Sequence, residues 1–145
     1  MGNQADRASA LALELRTLTG KLRRKLRDET GDDGFSSSQW SVLFRLEKDG
    51  PATVSNLARA EAMRPQSMSA VIGPLEAAGM VKGASDPNDG RQTLLSLTQK
   101  SRESIRERRA AKQDWLTRRI VAKLSAQEQE KMAAALASLA LLVED

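Results

Sequence analysis

The 145-residue chain contains no cysteine, no histidine and no tyrosine. Without cysteine there is no disulfide, no thiol nucleophile and no thiol through which peroxide could be sensed. Without histidine there is neither a Cys/His zinc site nor a Ser-His-Asp triad. Acid–base chemistry would fall to carboxylates or lysine, and the chain shows no paired-carboxylate motif and no glycine-rich phosphate loop. No enzyme, metal ion or cofactor is therefore expected. No apolar run approaches the roughly 18 residues that a membrane span requires. The N-terminal stretch MGNQADRASALALELRTL lacks the basic-then-apolar layout of a secretory signal. A cytoplasmic protein with no membrane association is the expectation.

Hydrophobic residues make up 40% and charged residues 29% of the sequence, the balance of a folded globular chain. The net charge of +4 leans toward a polyanionic partner. Its distribution is uneven: residues 36–95 carry six cations and six carboxylates, whereas residues 96–145 carry ten and seven.

Leu11, Leu15, Leu18, Leu22 and Leu26 are spaced 4, 3, 4 and 4 apart, one stripe of a helix from Ala8 to about Arg27. Lys21, Arg23, Arg24, Lys25 and Arg27 crowd its end, where cations suit the helix dipole. Thr30-Gly31-Asp32-Asp33-Gly34 breaks the chain. Ser36 and Gln39 form a capping box for a helix bearing Trp40, Leu43, Phe44 and Leu46, which ends at Asp49-Gly50-Pro51. Thr53 caps a short helix through Leu57 and Ala58, Glu61-Ala62-Met63 turns, and a further helix starts near Arg64 with Pro65 in its first turn. Gly79 stops that helix.

The period then changes from 3.6 to 2. Met80-Val81-Lys82 and Arg91 to Leu97 read as strands around the polar turn Asp86-Pro87-Asn88-Asp89-Gly90, a β-hairpin. Thr98 caps a long basic helix to about Lys123, with Ile105, Trp115, Leu116 and Ile120 as its apolar points. Ser125 and Glu128 box the start of a last helix carrying Met132, Leu136, Leu139 and Val143. The fold class is mainly α with one small hairpin.

Short helix, tight turn, second helix and hairpin follow one another in the centre. A helix-turn-helix needs small residues where its helices cross and apolar residues to lock them. Ala58 and Ala62 supply the first, and Leu57, Met63, Met68 and Val71 the second. Arg64, Pro65, Gln66, Ser67 and Ser69 remain at the start of the second helix, short or amide-bearing groups suited to base edges and phosphates. A plain helical hairpin in a bundle would show the same small-residue pair. The hairpin that follows, with Arg91 at its base, has the layout of a wing that lays an arginine along a minor groove.

From about Ser38 to Thr98 the chain resembles the MarR family of winged-helix regulators. The resemblance rests on Gln39-Trp40-Ser41-Val42-Leu43, Thr53-Val54-Ser55-Asn56-Leu57-Ala58 and Leu75-Glu76-Ala77-Ala78-Gly79-Met80-Val81. Its most specific part is Asp86-Pro87-Asn88-Asp89-Gly90-Arg91 followed by Leu95-Ser96-Leu97-Thr98, since the family's wing carries Asp-x-Arg before a strand ending in Leu-Thr. Gly73-Pro74 inside the second helix is a departure, and a kink is expected there. Lys82, where the family often has arginine, is a minor one.

The resemblance implies a single MarR-like domain, with residues 1–30 and 99–145 as helices of a homodimer and residues 36–98 as the DNA-binding lobe. Its expected activity is repression from a palindromic operator duplex, relieved by a small ligand. Arg64, Pro65, Gln66, Ser67, Ser69, Asp89 and Arg91 are the expected DNA-binding residues. Trp40 and Phe44, four apart on one helix, with Arg16 as a carboxylate partner, are candidates for a small aromatic or phenolic effector; plain core packing of the two rings is the competing account. The competing function is a winged-helix module that binds only proteins, favoured by the neutral charge of residues 36–95. Salt-dependent duplex binding separates the two.

Overall fold

The computed structural model describes residues 2–31 and 34–145. Asp32 and Asp33, in the expected break, lie outside the described residues. The chain divides into two compact units, Met1–Gly31 with Ala110–Asp145, and Asp32–Arg109.

The second unit is the lobe. It holds α2 (Ser37–Asp49), β1 (Ala52–Thr53), α3 (Val54–Ala60), α4 (Pro65–Ala77), β2 (Val81–Ser85), β3 (Thr93–Leu97) and the first turns of α5 (Gln99–Lys123). Local chemistry starts each helix. Ser36 accepts from the Gln39 amide while the Gln39 side chain accepts from the Ser36 amide, the reciprocal box that opens α2. Thr53 Oγ1 accepts from the Asn56 amide at 3.1 Å and opens α3. The Thr98 and Ser101 hydroxyls accept each other's amides at the start of α5, at 3.2 and 3.0 Å.

The sheet has three strands in the order β1-β3-β2, both pairs antiparallel. The hairpin expected from sequence is β2-β3, with Val81 opposite Leu97 and Ser85 opposite Thr93. β1 joins it through Ala52 opposite Leu95 and Thr53 opposite Leu94. Leu95 and Leu97 point inward to Leu43, Leu57, Met68, Leu75 and Ile105, the centre of a continuous apolar core. Because Ser101 and Ile105 are buried, α5 packs with the lobe as far as Arg109, beyond the boundary at Thr98 expected from sequence.

The end of α4 is fastened to α5. Thr98 Oγ1 donates to the Gly79 carbonyl at 2.6 Å, and Lys100 Nζ to that of Ala78 at 2.7 Å. These bonds fix where α4 ends and the hairpin begins.

The first unit comprises α1 (Asn3–Thr30), the remainder of α5, α6 (Ala126–Ala140) and a short 3-10 turn at Leu141–Val143. The Ser125–Glu128 box opens α6 as expected. Neither α1 nor α6 has a buried residue. Leu11, Leu18, Leu22, Leu136 and Leu139 are all exposed, Leu18 by 64%. Among the described residues no helix is long and apolar enough to cross a membrane.

Candidate nucleic-acid interface

α3 and α4 are joined by a turn whose geometry is fixed by two bonds. The Met63 amide donates to the Ala58 carbonyl at 2.8 Å, and the Ala62 amide to that of Arg59 at 3.2 Å. This pairing is the Schellman ending of a helix, which places one residue in the left-handed region. That residue is Ala62, at φ +54°. α4 ends the same way: Met80 donates to Leu75, Gly79 donates to Glu76, and the left-handed residue is Gly79, at φ +73°. Glycine adopts this conformation freely, whereas an L side chain costs roughly 1–2 kcal/mol. Ala62→Gly is therefore expected to stabilise the protein. Part of the gain is offset by the greater freedom of glycine in the unfolded chain, leaving about 0.5–1 kcal/mol. A thermal melt should rise by a few degrees; an unchanged or lower midpoint would contradict the strain.

Burial divides α4 into two faces. Met68, Ile72 and Leu75, at i, i+4 and i+7, are buried, and Val71 is half-buried. Pro65, Gln66, Ser67 and Ser69 are exposed, together with Arg64 at the N-cap. The Arg64 side chain makes no capping bond. All five expected residues of this helix thus share one polar end. α4 stays helical from Pro65 to Ala77 with Pro74 inside it. The residue before a proline is normally driven out of the helical region by its own Cβ. Gly73 has none, and Leu75 immediately after is held in the core.

The wing tip runs from Asp86 to Gln92. It is closed by the Asp86 amide on the Gln92 carbonyl at 3.0 Å and the Gln92 amide on the Asp89 carbonyl at 3.0 Å. Arg91 therefore sits in the turn, not at the start of the returning strand, which begins at Thr93. Asp89 Oδ1 accepts from the Arg91 amide at 3.1 Å and from Arg91 Nε at 3.2 Å. Those bonds, the amide first, hold the Asp89 carboxyl below its ordinary pKa. Arg91 keeps 92% of its side chain exposed. A cation this accessible, steered by a fixed carboxylate, can reach an anionic partner with little conformational search.

The neutral charge of residues 36–95 is also resolved. Their acids are largely engaged: Glu47 with Arg109, Asp49 and Glu61 with Arg45, Asp89 with Arg91. Arg59, Arg64 and Lys82 are exposed and make no ion pair among the described residues. The exposed ends of α3, α4 and β2 are thus positive although the segment is neutral in sum.

Sequence reasoning missed two sets of side chains. Glu61, read only as part of a turn, binds Ser41 and Arg45 on α2. The bond from Arg45 is the larger cause holding the Glu61 carboxyl below its ordinary pKa, with Ser41 adding to it. Around Trp40, only 5% exposed, Phe44 stacks at 5.5 Å, Phe35 meets it edge-on at 6.0 Å and the Arg108 guanidinium lies 4.4 Å from the ring centroid. Arg109 lies 5.6 Å from the Phe44 ring and grips Glu47 with its two terminal guanidinium nitrogens. The structure brings Trp40 and Phe44 together as expected, and the cation on Trp40 comes from α5. Arg16 belongs to α1, in the first unit. No local pattern announces the partners that come from other elements, up to 68 positions away.

Comparison with known proteins accords with this geometry. The profile described as "MarR family" matches residues 35–93. An HTH-type transcriptional regulator of Mycobacterium tuberculosis is 35% identical over 140 residues, 97% of each chain. One from Mycobacterium leprae is 37% identical over 116 residues, 80% of this chain and 81% of its own. Among solved structures, a transcriptional regulator protein from Pseudomonas aeruginosa superposes with a TM-score of 0.82 at 33% identity, over 94% of this chain and 96% of that one. A MepR mutant of S. aureus, solved with an oligodeoxyribonucleotide, shares the fold at a TM-score of 0.73 and 18% identity, over 92% and 98% of the two chains. This chain belongs to the MarR family of transcriptional regulators.

Proposed function

We propose that the protein is a repressor that binds a palindromic operator duplex as a homodimer and leaves it when a small ligand binds. The observation that carries the reading is the joint presentation, on one lobe, of a polar α4 start and a wing arginine held by Asp89. In this reading Gln66, Ser67 and Ser69 face base edges in the major groove, Arg64 meets a phosphate or guanine, and Arg91 meets the minor groove or its flanking phosphates. The homodimer reading draws on the exposed leucines of α1 and α6, since large apolar side chains repeated along a helix are costly to leave in water. Two lobes related by a two-fold would address half-sites about 34–36 Å apart, one turn of DNA.

Selection of bound duplexes from a random pool tests this directly, with light scattering at micromolar concentration for the dimer. A palindromic consensus and a dimeric mass are expected; a monomer would refute the symmetric reading. Gln66→Ala should relax preference at one base pair per half-site, by about 1–3 kcal/mol. An unchanged consensus would remove Gln66 from base reading.

Control by a small aromatic or phenolic acid has a natural reporter. Arg108 covers the Trp40 ring, so a carboxylate that competes for the guanidinium would alter Trp40 emission. In a Trp115→Phe background, leaving Trp40 as the one tryptophan, an effective acid should release the duplex and change the emission together. If no aromatic carboxylate does either at millimolar levels, the effector is of another class.

A further inference from the structure

Glu61 is the C-cap of α3, at the entry to the turn before the recognition helix. Its carboxylate does not point to solvent. Glu61 Oε1 accepts from Ser41 Oγ at 2.9 Å and from Arg45 Nε at 2.9 Å, leaving the side chain 18% exposed. Arg45 is itself steadied by Asp49, one helical turn further along α2, at 3.7 Å. A carboxylate next to a DNA-reading helix is unfavourable on electrostatic grounds alone, because it repels phosphates. Its placement requires a compensating gain.

The turn itself supplies the reason. Ala62 holds a left-handed conformation that its side chain disfavours, so this segment does not enforce its own geometry as a glycine turn would. The two backbone bonds of the turn close α3 upon itself, and neither ties it to another element. Ser41 and Arg45 lie one helical turn apart on α2, and their shared acceptor is the residue before Ala62. Two bonds from a rigid helix to one carboxylate oxygen fix that point in space.

We propose that Glu61 is a positioning residue for DNA recognition: through Ser41 and Arg45 it sets the α3–α4 turn against α2, and thereby the angle at which Arg64, Gln66 and Ser67 are presented. This deepens the DNA-binding reading and rests on it. The residue touches no DNA in this role, and its effect is opposite in sign to its charge.

The test uses the full-length protein and a duplex that the wild type selects from a random pool. Glu61→Ala, Glu61→Gln and Arg45→Met are compared by affinity across a salt series, at a temperature where circular dichroism shows each variant folded. Positioning predicts that Glu61→Ala loses about tenfold in affinity although it removes a negative charge, and that Glu61→Gln, an acceptor of equal reach, recovers part of the loss. It also predicts that Arg45→Met weakens binding with no change in the slope of log affinity on log salt, whereas loss of a phosphate contact lowers that slope by about 1. The double variant should bind no worse than the weaker single one. If Glu61→Ala binds as well as or better than wild type, or only the melting temperature moves, Glu61 is a surface acid or a structural brace and the proposal falls. A slope change in Arg45→Met would make that arginine a DNA contact and likewise overturn it. A wild type that selects no duplex defeats the DNA reading first, and this proposal with it.

Discussion

Arg91→Ala should weaken operator binding by one to two orders of magnitude, about 1–3 kcal/mol, and leave the thermal midpoint within about a degree of wild type. The two halves of this expectation have separate grounds. Arg91 is almost wholly exposed and its side chain pairs with Asp89, two residues away in the same turn. An exposed pair of this kind contributes little to folding, and the wing tip is closed by backbone bonds that do not involve the guanidinium. The loss must therefore appear in binding. The slope of log affinity on log salt should fall by about 1 per half-site, the mark of a lost phosphate contact. Asp89→Ala should cost less, since it frees the guanidinium without removing it. Filter binding or fluorescence anisotropy across a salt series is sufficient. Undiminished affinity in Arg91→Ala would mean that the wing does not reach DNA.

The elements most legible in the sequence are those whose signals are local. The Ser36–Gln39 and Ser125–Glu128 boxes, the Thr53 cap, Pro65 and Gly79 each act within a few residues, and each stands where expected. β1 was not legible because two residues cannot display a period. Its existence depends on Leu94 and Leu95, more than forty positions on. Hydrophobic alternation sets no sharp edge, so pattern alone extends the returning strand back to Arg91. The Asp86–Gln92 backbone bond, invisible to pattern, keeps it in the turn.

Gly73-Pro74 is a different case, a strong local signal that does not end the helix. The proline removes one helical bond, but the preceding glycine lacks the Cβ that would clash with its ring, and Ile72 and Leu75 on either side are buried in the core. The polar side chains that α4 and the wing expose could be named from type and position. The bonds of Glu61 could not, because it finds its partners on another helix, 16 and 20 residues back.

Leu75→Ala should destabilise the protein by about 2–5 kcal/mol and lower its melting midpoint by about 5–20 °C. Leu75 has no exposed surface, and its surroundings have few means of closing around a cavity. Pro74 fixes the backbone before it, and the Leu75 carbonyl is held by the Met80 amide at 2.8 Å. The next residues are pinned in turn, Ala78 by Lys100 and Gly79 by Thr98. A site that cannot relax keeps its cavity, and the cost rises with the volume left empty. Leu94→Ala, at a half-buried position in β3, should cost only about 1 kcal/mol by comparison. The functional consequence differs in kind from that of Arg91→Ala. Near 15 °C, where Leu75→Ala is still folded, its operator affinity should lie within tenfold of wild type and its salt slope should be unchanged; near its own midpoint binding should vanish. Arg91→Ala should instead bind weakly at every temperature. Calorimetry and binding at two temperatures separate the cases, and a Leu75→Ala midpoint within two or three degrees of wild type would show that α4 is not anchored to the core through this side chain.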